Sequence, residues 1–153
     1  MADIQAVQPP GGPAHQVRGL LGEKMFRHRG PGPGVRLVAW LTGCQFRCVF
    51  CHNPDTWKLT NGMPVPLKRA LEVVNQYSHS LKKLKGGLTI SGGEPLMQHH
   101  FLRKLFAEVH KTGVHTTLET NGFFGERLTD DDLANIDLVM IGIKAITPIC
   151  TSA

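Results

Sequence analysis

The feature that most limits the fold is an alternation of short apolar runs with segments of helical periodicity, from residue 35 to residue 144. Apolar runs of this length indicate buried strands, whereas apolar residues three and four positions apart indicate one face of a helix. Strands that alternate with helices favour a parallel sheet with right-handed crossovers. The four strand segments are 35–41, "GGLTIS", "VHTTLET" and "IDLVMIGIK". The sequence therefore predicts an α/β fold with about four βα units.

Helix signals between these strands support the prediction. One helix is expected to begin near Pro66, because proline suits the first turn of a helix. A second apolar stripe ends before Gly113, where a C-terminal cap belongs. Thr129 and Asp132 resemble the start of a short third helix. The stripe of the second helix consists of Phe101, Leu102, Leu105, Phe106 and Val109.

Length and composition are those of a single globular domain with a core. The chain has 153 residues, of which 41% are hydrophobic and 19% are charged. Four βα units make about half of an eight-unit barrel, which takes about 250 residues. We therefore predict a parallel-sheet partial (β/α) barrel over residues 31–153, preceded by a flexible N-terminal arm over residues 1–30 in which proline and glycine are frequent.

The sequence also limits the compartment and the partners. No apolar run approaches the roughly 18 residues of a membrane span, and the N-terminus lacks the apolar region of a secretory signal. Clustered cysteines without an export signal are typical of metal binding in a reducing compartment, so we expect a cytoplasmic protein with no membrane partner. The net charge of +5 suits an acidic partner or simply solvates the surface. Basic residues are not interleaved with aromatic ones, and we expect no nucleic-acid partner.

Three polar motifs directly follow predicted strands. The first holds Cys44, Cys48 and Cys51 in "GCQFRCVFC", the second is "SGGEP" at 91–95, and the third is "ETNG" at 119–122. The carboxyl ends of parallel strands lie at one edge of a sheet, where ligands bind in open α/β sheets and barrels alike. We therefore expect the three motifs to form one site.

Three closely spaced thiolates are compatible with either of two kinds of metal centre. A 4Fe–4S cluster bound by three cysteines keeps one iron without a protein ligand, and an open position is what a catalytic centre needs. A structural zinc ion instead requires a fourth ligand, for which His52 or Cys150 is available. Spacing alone leaves both alternatives open.

The other two motifs offer groups for a charged organic ligand. Paired Gly92 and Gly93 allow close approach to the backbone, and Glu94 supplies a carboxylate for a cationic group such as an amine. Lys144 ends the fourth strand, where its ammonium suits a carboxylate. The alternatives are an ordinary strand-to-helix turn and a solvated lysine.

Taken together, the motifs resemble the radical S-adenosylmethionine superfamily, and within it the glycyl-radical-enzyme activases of the pyruvate formate-lyase type. The resemblance extends from about Gly32 to Lys144. It is carried by "GPGVR", "GCQFRCVFCHNPDTW", "SGGEPLMQ", "LETNGF" and "DLVMIGIK". The extended cysteine string is far more specific than three cysteines, and it makes zinc the weaker alternative.

The resemblance implies a role for each motif. The cysteines would hold a 4Fe–4S cluster, whose open iron would bind the amine and carboxylate of S-adenosylmethionine. Phe50 would pack near the adenine, Lys144 would bind the methionyl carboxylate, and Thr120 and Asn121 would lie beside the cofactor. The methionyl amine would be held by the segment Ser91, Gly92, Gly93 and Glu94.

The implied activity is reductive cleavage of S-adenosylmethionine and formation of a glycyl radical on a partner enzyme. Reduced flavodoxin or ferredoxin is the implied electron donor, and an acidic donor suits a basic chain. The alternatives are the activating component of anaerobic ribonucleotide reductase, a chain of comparable length, and a truncated, non-catalytic remnant that binds the cluster or the cofactor.

Three departures from the family pattern affect these expectations. Pro31 stands where the family usually has an aspartate, and Gly142 stands where the activases have another. In the activases that second aspartate belongs to a monovalent-cation site with an acid matching Glu119 and the positions of Thr120 and Met140. The third departure is length, because the family's partial barrel continues for further strands.

Overall fold

A computed structural model describes residues 16–19 and 32–144, with only the backbone for residues 16–19. Within these ranges the chain forms six strands, three α-helices and short 3-10 turns. The strands are β1 (Gln16–Gly19), β2 (Arg36–Leu41), β3 (Met63–Pro66), β4 (Gly87–Gly92), β5 (His115–Thr120) and β6 (Leu138–Ile141). The helices are α1 (Leu67–Lys83), α2 (His99–Lys111) and α3 (Asp130–Leu133).

The strands form one sheet in the order β3-β1-β2-β4-β5-β6. Strands β2, β4, β5 and β6 are parallel neighbours, which confirms the predicted α/β fold and its four-stranded parallel sheet. The described strands begin at β3 and end at β6, and these two do not pair. Barrel closure therefore stays a prediction.

Two antiparallel strands extend the sheet beyond the prediction. The glycine and prolines of "TNGMPVP" predict a turn, but this is wrong for residues 63–66, which form β3 along β1. Pro64 and Pro66 lack an amide proton, but an edge strand tolerates them. Strand β1 falls within the predicted N-terminal arm, whose other residues and the 31–153 boundary lie outside the described residues.

The helices cover one face of the parallel strands and form the core with it. Helix α1 begins directly after Pro66, close to the prediction. Gly113 has a φ of +72° just beyond α2, as expected for a residue at a helix end. Thr129 and Asp132 form a reciprocal capping box at α3, which confirms that helix start. The stripe predicted for α2 is buried throughout, at Phe101, Leu102, Leu105, Phe106 and Val109.

A buried arginine joins the strands at the edge opposite their carboxyl ends. Arg36 is only 1% exposed. Its guanidinium donates to Thr89 Oγ1 at 2.9 Å, to Thr117 Oγ1 at 2.8 Å and to the carbonyl oxygen of Leu88 at 2.6 Å. Burial lowers its pKa to about 10, although the charge of Asp137 opposes this effect. Strands β2, β4 and β5 are thus fastened at their amino ends.

The described helices also bear on membrane association. None of those within residues 32–144 combines the length and the apolar character that a membrane span requires.

Candidate functional site

The three polar motifs meet in one cavity of about 510 Å³ at the carboxyl ends of the parallel strands. Strands β2, β4, β5 and β6 or the loops after them each contribute to its wall. Of the residues expected at the site, all but Glu94 line the cavity: Cys44, Cys48, Phe50, Cys51, Ser91, Gly92, Gly93, Thr120, Asn121 and Lys144. The three strand-end motifs therefore lie around one cavity, and their roles in a common site stay a prediction.

The cysteine loop is closed by its own backbone. The amide of Gly43 donates to the carbonyl oxygen of Thr56 at 2.7 Å, and the amide of Cys44 donates to that of Trp57 at 3.1 Å. These bonds join the first and last residues of the loop. The loop thus leaves β2 and returns to the same place with the cysteines between its two ends.

The three thiols are free and only partly accessible. Cys48 is buried, Cys44 and Cys51 are half-buried, and none is in a disulfide. Burial raises the pKa of Cys44, supported by the charges of Glu94 and Cys48, while a backbone hydrogen bond at Phe46 and the charge of Arg47 oppose it. Cysteine binds a metal as the thiolate, so metal binding would release any proton that a thiol carries.

The arrangement gives no support to the zinc alternative. Among residues 16–19 and 32–144, no three His, Cys, Asp or Glu side chains are placed to hold a single metal ion. In a 4Fe–4S cluster the cysteines bind different irons, so their sulfurs line a volume and need not converge on one point. His52 lines the same cavity, and Cys150 lies outside the described residues.

Gly92 and Gly93 bring the end of β4 against the cysteine loop. A Cβ on Gly92, whose φ is +124°, would lie 2.1 Å from the carbonyl oxygen of Leu41. A Cβ on Gly93 would lie 2.3 Å from that of Gly43, which accepts a hydrogen bond from the amide of Glu94 at 2.7 Å. The structure shows close approach by the neighbouring backbone, and the close approach predicted for a ligand stays a prediction.

Glu94 is buried beneath the cavity rather than exposed in it. Its side chain is 0% exposed and accepts hydrogen bonds from the amide of Leu96 at 2.9 Å, the hydroxyl of Thr120 at 2.7 Å and the amide of Asn121 at 2.8 Å. Burial raises its pKa, and these hydrogen bonds and the charge of Lys144 oppose the shift. The carboxylate therefore fastens the end of β4 to the end of β5.

Thr120 and Asn121 are held at fixed positions by neighbours. Besides donating to Glu94, the Thr120 hydroxyl accepts from the amide of Gly122 at 3.0 Å. The Asn121 side-chain oxygen accepts from Gln45 at 3.1 Å and from the amide of Phe123 at 3.0 Å. The bond from Gln45 links the cysteine loop directly to the loop after β5.

Glu119 lines the cavity and was considered only through the cation site. Its carboxylate accepts a hydrogen bond from the Ser91 hydroxyl at 2.6 Å. Ile90 on β4 is in register with Leu118 on β5, so the next residues, Ser91 and Glu119, are side by side. The alignment of β4 with β5 is therefore the feature from which the contact between Ser91 and Glu119 could have been predicted.

Gly142 leaves room for the Lys144 side chain. A Cβ built on Gly142 would lie 2.7 Å from Lys144 Nζ. The ammonium thus lies close to the position that an aspartate side chain would enter.

Aromatic residues form much of the remaining wall. Phe50 lines the cavity and is 51% exposed, and its contact with the adenine stays a prediction. Trp40, Phe46 and Trp57 also line the cavity. Phe46 packs edge-on against Phe123 with ring centroids 5.5 Å apart.

The geometry fits a cluster together with an organic cofactor. Three free cysteines, two half-buried glycines, an ammonium and aromatic rings surround one volume. A family profile described as a 4Fe-4S single cluster domain matches residues 30–145. The chain belongs to this family.

Relatives identify the kind of protein in which such a domain occurs. Pyruvate formate-lyase 1-activating enzyme of Escherichia coli strain K12 is 40% identical over 115 residues, which are 74% of this chain and 47% of that protein. Pyruvate formate-lyase-activating enzyme of Staphylococcus aureus strain USA300 is 38% identical over 122 residues, or 75% of this chain and 49% of that protein. These matches confirm the resemblance to the activases. The chain spans about half the length of these curated relatives.

Proposed function

We propose that this chain binds a 4Fe–4S cluster and S-adenosylmethionine and acts as a radical activase of a glycyl radical enzyme. The observation that carries the proposal is the meeting of Cys44, Cys48 and Cys51 with Ser91–Gly93 and Lys144 around one cavity. The names of the relatives support the pyruvate formate-lyase type and do not favour the anaerobic ribonucleotide reductase alternative.

The protein's own residues bind and orient the reactants. The three cysteines hold the cluster by their sulfurs, and the backbone of Ser91–Gly93 faces the methionyl amine. Lys144 binds the carboxylate, and Phe50 contacts the adenine. When bound, the cluster would supply the electron for reductive cleavage of S-adenosylmethionine, the chemistry that would form a glycyl radical on the partner enzyme.

Apolar side chains near the cavity support a protein as the second substrate. Val49, Phe50 and Phe123 are 80%, 51% and 48% exposed. Exposed apolar groups that lie together mark protein interaction sites. In this proposal the partner enzyme contacts Val49, Phe50 and Phe123. An acidic flavodoxin or ferredoxin donates the electron in the cytoplasm.

Electron paramagnetic resonance on anaerobically reconstituted, reduced protein tests the proposal. Addition of S-adenosylmethionine is expected to change the cluster signal, and 5′-deoxyadenosine is expected to form. Cys48→Ser is expected to lose the cluster, and Lys144→Met to keep it but require more cofactor for the same spectral change. A cluster whose signal ignores the cofactor would indicate the non-catalytic remnant.

The partner assay separates the two activases. Incubation of the loaded chain with a pyruvate formate-lyase is expected to give the doublet signal of a glycyl radical. A radical on anaerobic ribonucleotide reductase alone would favour the alternative.

A further inference from the structure

Arg47 is the charged residue that the sequence places between two cysteine ligands and for which the proposed function has no role. It directly precedes Cys48 and follows Cys44 by three positions. Arginine stays charged at any physiological pH. A fixed positive charge is therefore built into the cysteine loop itself.

The side chain of Arg47 folds back over the loop. Its Nη1 donates to the carbonyl oxygen of Cys44 at 2.6 Å and to that of Phe46 at 2.8 Å. Its Cζ lies 5.3 Å from the centre of the Trp57 ring, within the range of a cation–π contact. Trp57 is the residue whose carbonyl oxygen accepts from the Cys44 amide. One guanidinium thus contacts both ends of the loop.

We propose that Arg47 is a positioning residue for the cluster, which clamps the cysteine loop and raises the reduction potential of the cluster by its positive charge. Net charge near an iron–sulfur cluster and groups outside the ligand shell both tune its potential. A nearby cation favours the reduced state, because reduction adds a negative charge. The inference rests on the cluster of the proposed function, and it does not depend on cleavage of the cofactor.

The test is a redox titration of the loaded chain, followed by electron paramagnetic resonance, for three variants. Arg47→Gln keeps an amide donor but removes the charge, whereas Arg47→Lys keeps the charge. Lys58→Gln is the matched control, because it removes an exposed charge next to Trp57 that has no place in the clamp. We expect a more negative midpoint potential in Arg47→Gln, and potentials near that of the wild type in the other two.

The other possible outcomes also support or overturn the proposed role of Arg47. Arg47→Gln with the wild-type potential would overturn the inference, as would an equal shift in Lys58→Gln. If Arg47→Gln loses iron and sulfide while Arg47→Lys loads fully, the result would support a role of the positive charge at the cluster. If both variants lose them, Arg47 would only clamp the loop, and its proposed effect on the reduction potential would be overturned. A wild-type chain that takes up no cluster overturns this inference and the proposed function, but one that loads without cleaving S-adenosylmethionine overturns only the activity.

Discussion

Replacing Glu94 by glutamine distinguishes a carboxylate that fastens two strands from one that binds a ligand. Each oxygen faces at least one donor, because Oε1 accepts from Leu96 and Thr120 and Oε2 accepts from Asn121. An amide has a single oxygen, so its NH2 group must point at a donor. A buried donor that loses its acceptor costs about 1–3 kcal/mol. We expect Glu94→Gln to lower the free energy of unfolding by that amount.

The assay is urea unfolding of the cluster-free chain, followed by circular dichroism. Glu94→Ala leaves three donors without this acceptor and is expected to cost at least about 3 kcal/mol. Glu108→Gln is the control, because that carboxylate is exposed and pairs only with Lys111 among the ion pairs of the described residues, and its effect is expected to stay within about 0.5 kcal/mol. Unchanged stability of Glu94→Gln together with a lost response to S-adenosylmethionine would show that the carboxylate binds the ligand instead.

Two further predictions concern the site and the opposite edge of the sheet. Gly93→Ala places a Cβ 2.3 Å from the Gly43 carbonyl oxygen and is expected to cost about 1–3 kcal/mol in urea unfolding, whereas Gly125→Ala, with no atom within 4 Å, is the control that should cost little. Burial acts to raise the pKa of Asp137, but hydrogen bonds from Thr116 and nearby histidines lower it below its ordinary 3.8 overall. Its contribution to stability is therefore present above pH 3.8 and is lost as the pH falls through the lower, folded-state pKa. Unfolding of Asp137→Asn measured against pH should lack this acid loss, and an unchanged pH profile would contradict the assignment.

Much of the fold follows from local patterns in the sequence. Buried parallel strands are continuous apolar runs, and helices on such a sheet carry apolar stripes, so both could be located without knowing their neighbours. The site could be placed for a related reason, since the end of each parallel strand lies at the same edge. Cys44, Ser91 and Lys144 therefore meet although the chain separates them widely.

The remainder depends on contacts that no local pattern reveals. Strand β3 contains prolines that suggest a turn, and it forms because β1 pairs with it. Glu94 has the charge expected of a ligand-binding residue, and only the positions of Thr120 and Asn121 on another strand show where that charge is directed. Arg47 looks like a surface cation until its bonds to the Cys44 and Phe46 carbonyl oxygens are known.

The backbone closure of the cysteine loop has a consequence for the life of the protein in air. Small zinc domains unfold without their metal, because the metal alone holds their ligands together. Here the amide of Gly43 donates a hydrogen bond to the carbonyl oxygen of Thr56, and the amide of Glu94 donates one to the carbonyl oxygen of Gly43. These backbone hydrogen bonds do not require a metal. The cluster-free chain is expected to keep these amides protected from hydrogen exchange. Loss of the cluster to oxygen would then leave the cysteine loop folded. Rebuilding the cluster would need only new iron and sulfide, with no refolding of the chain.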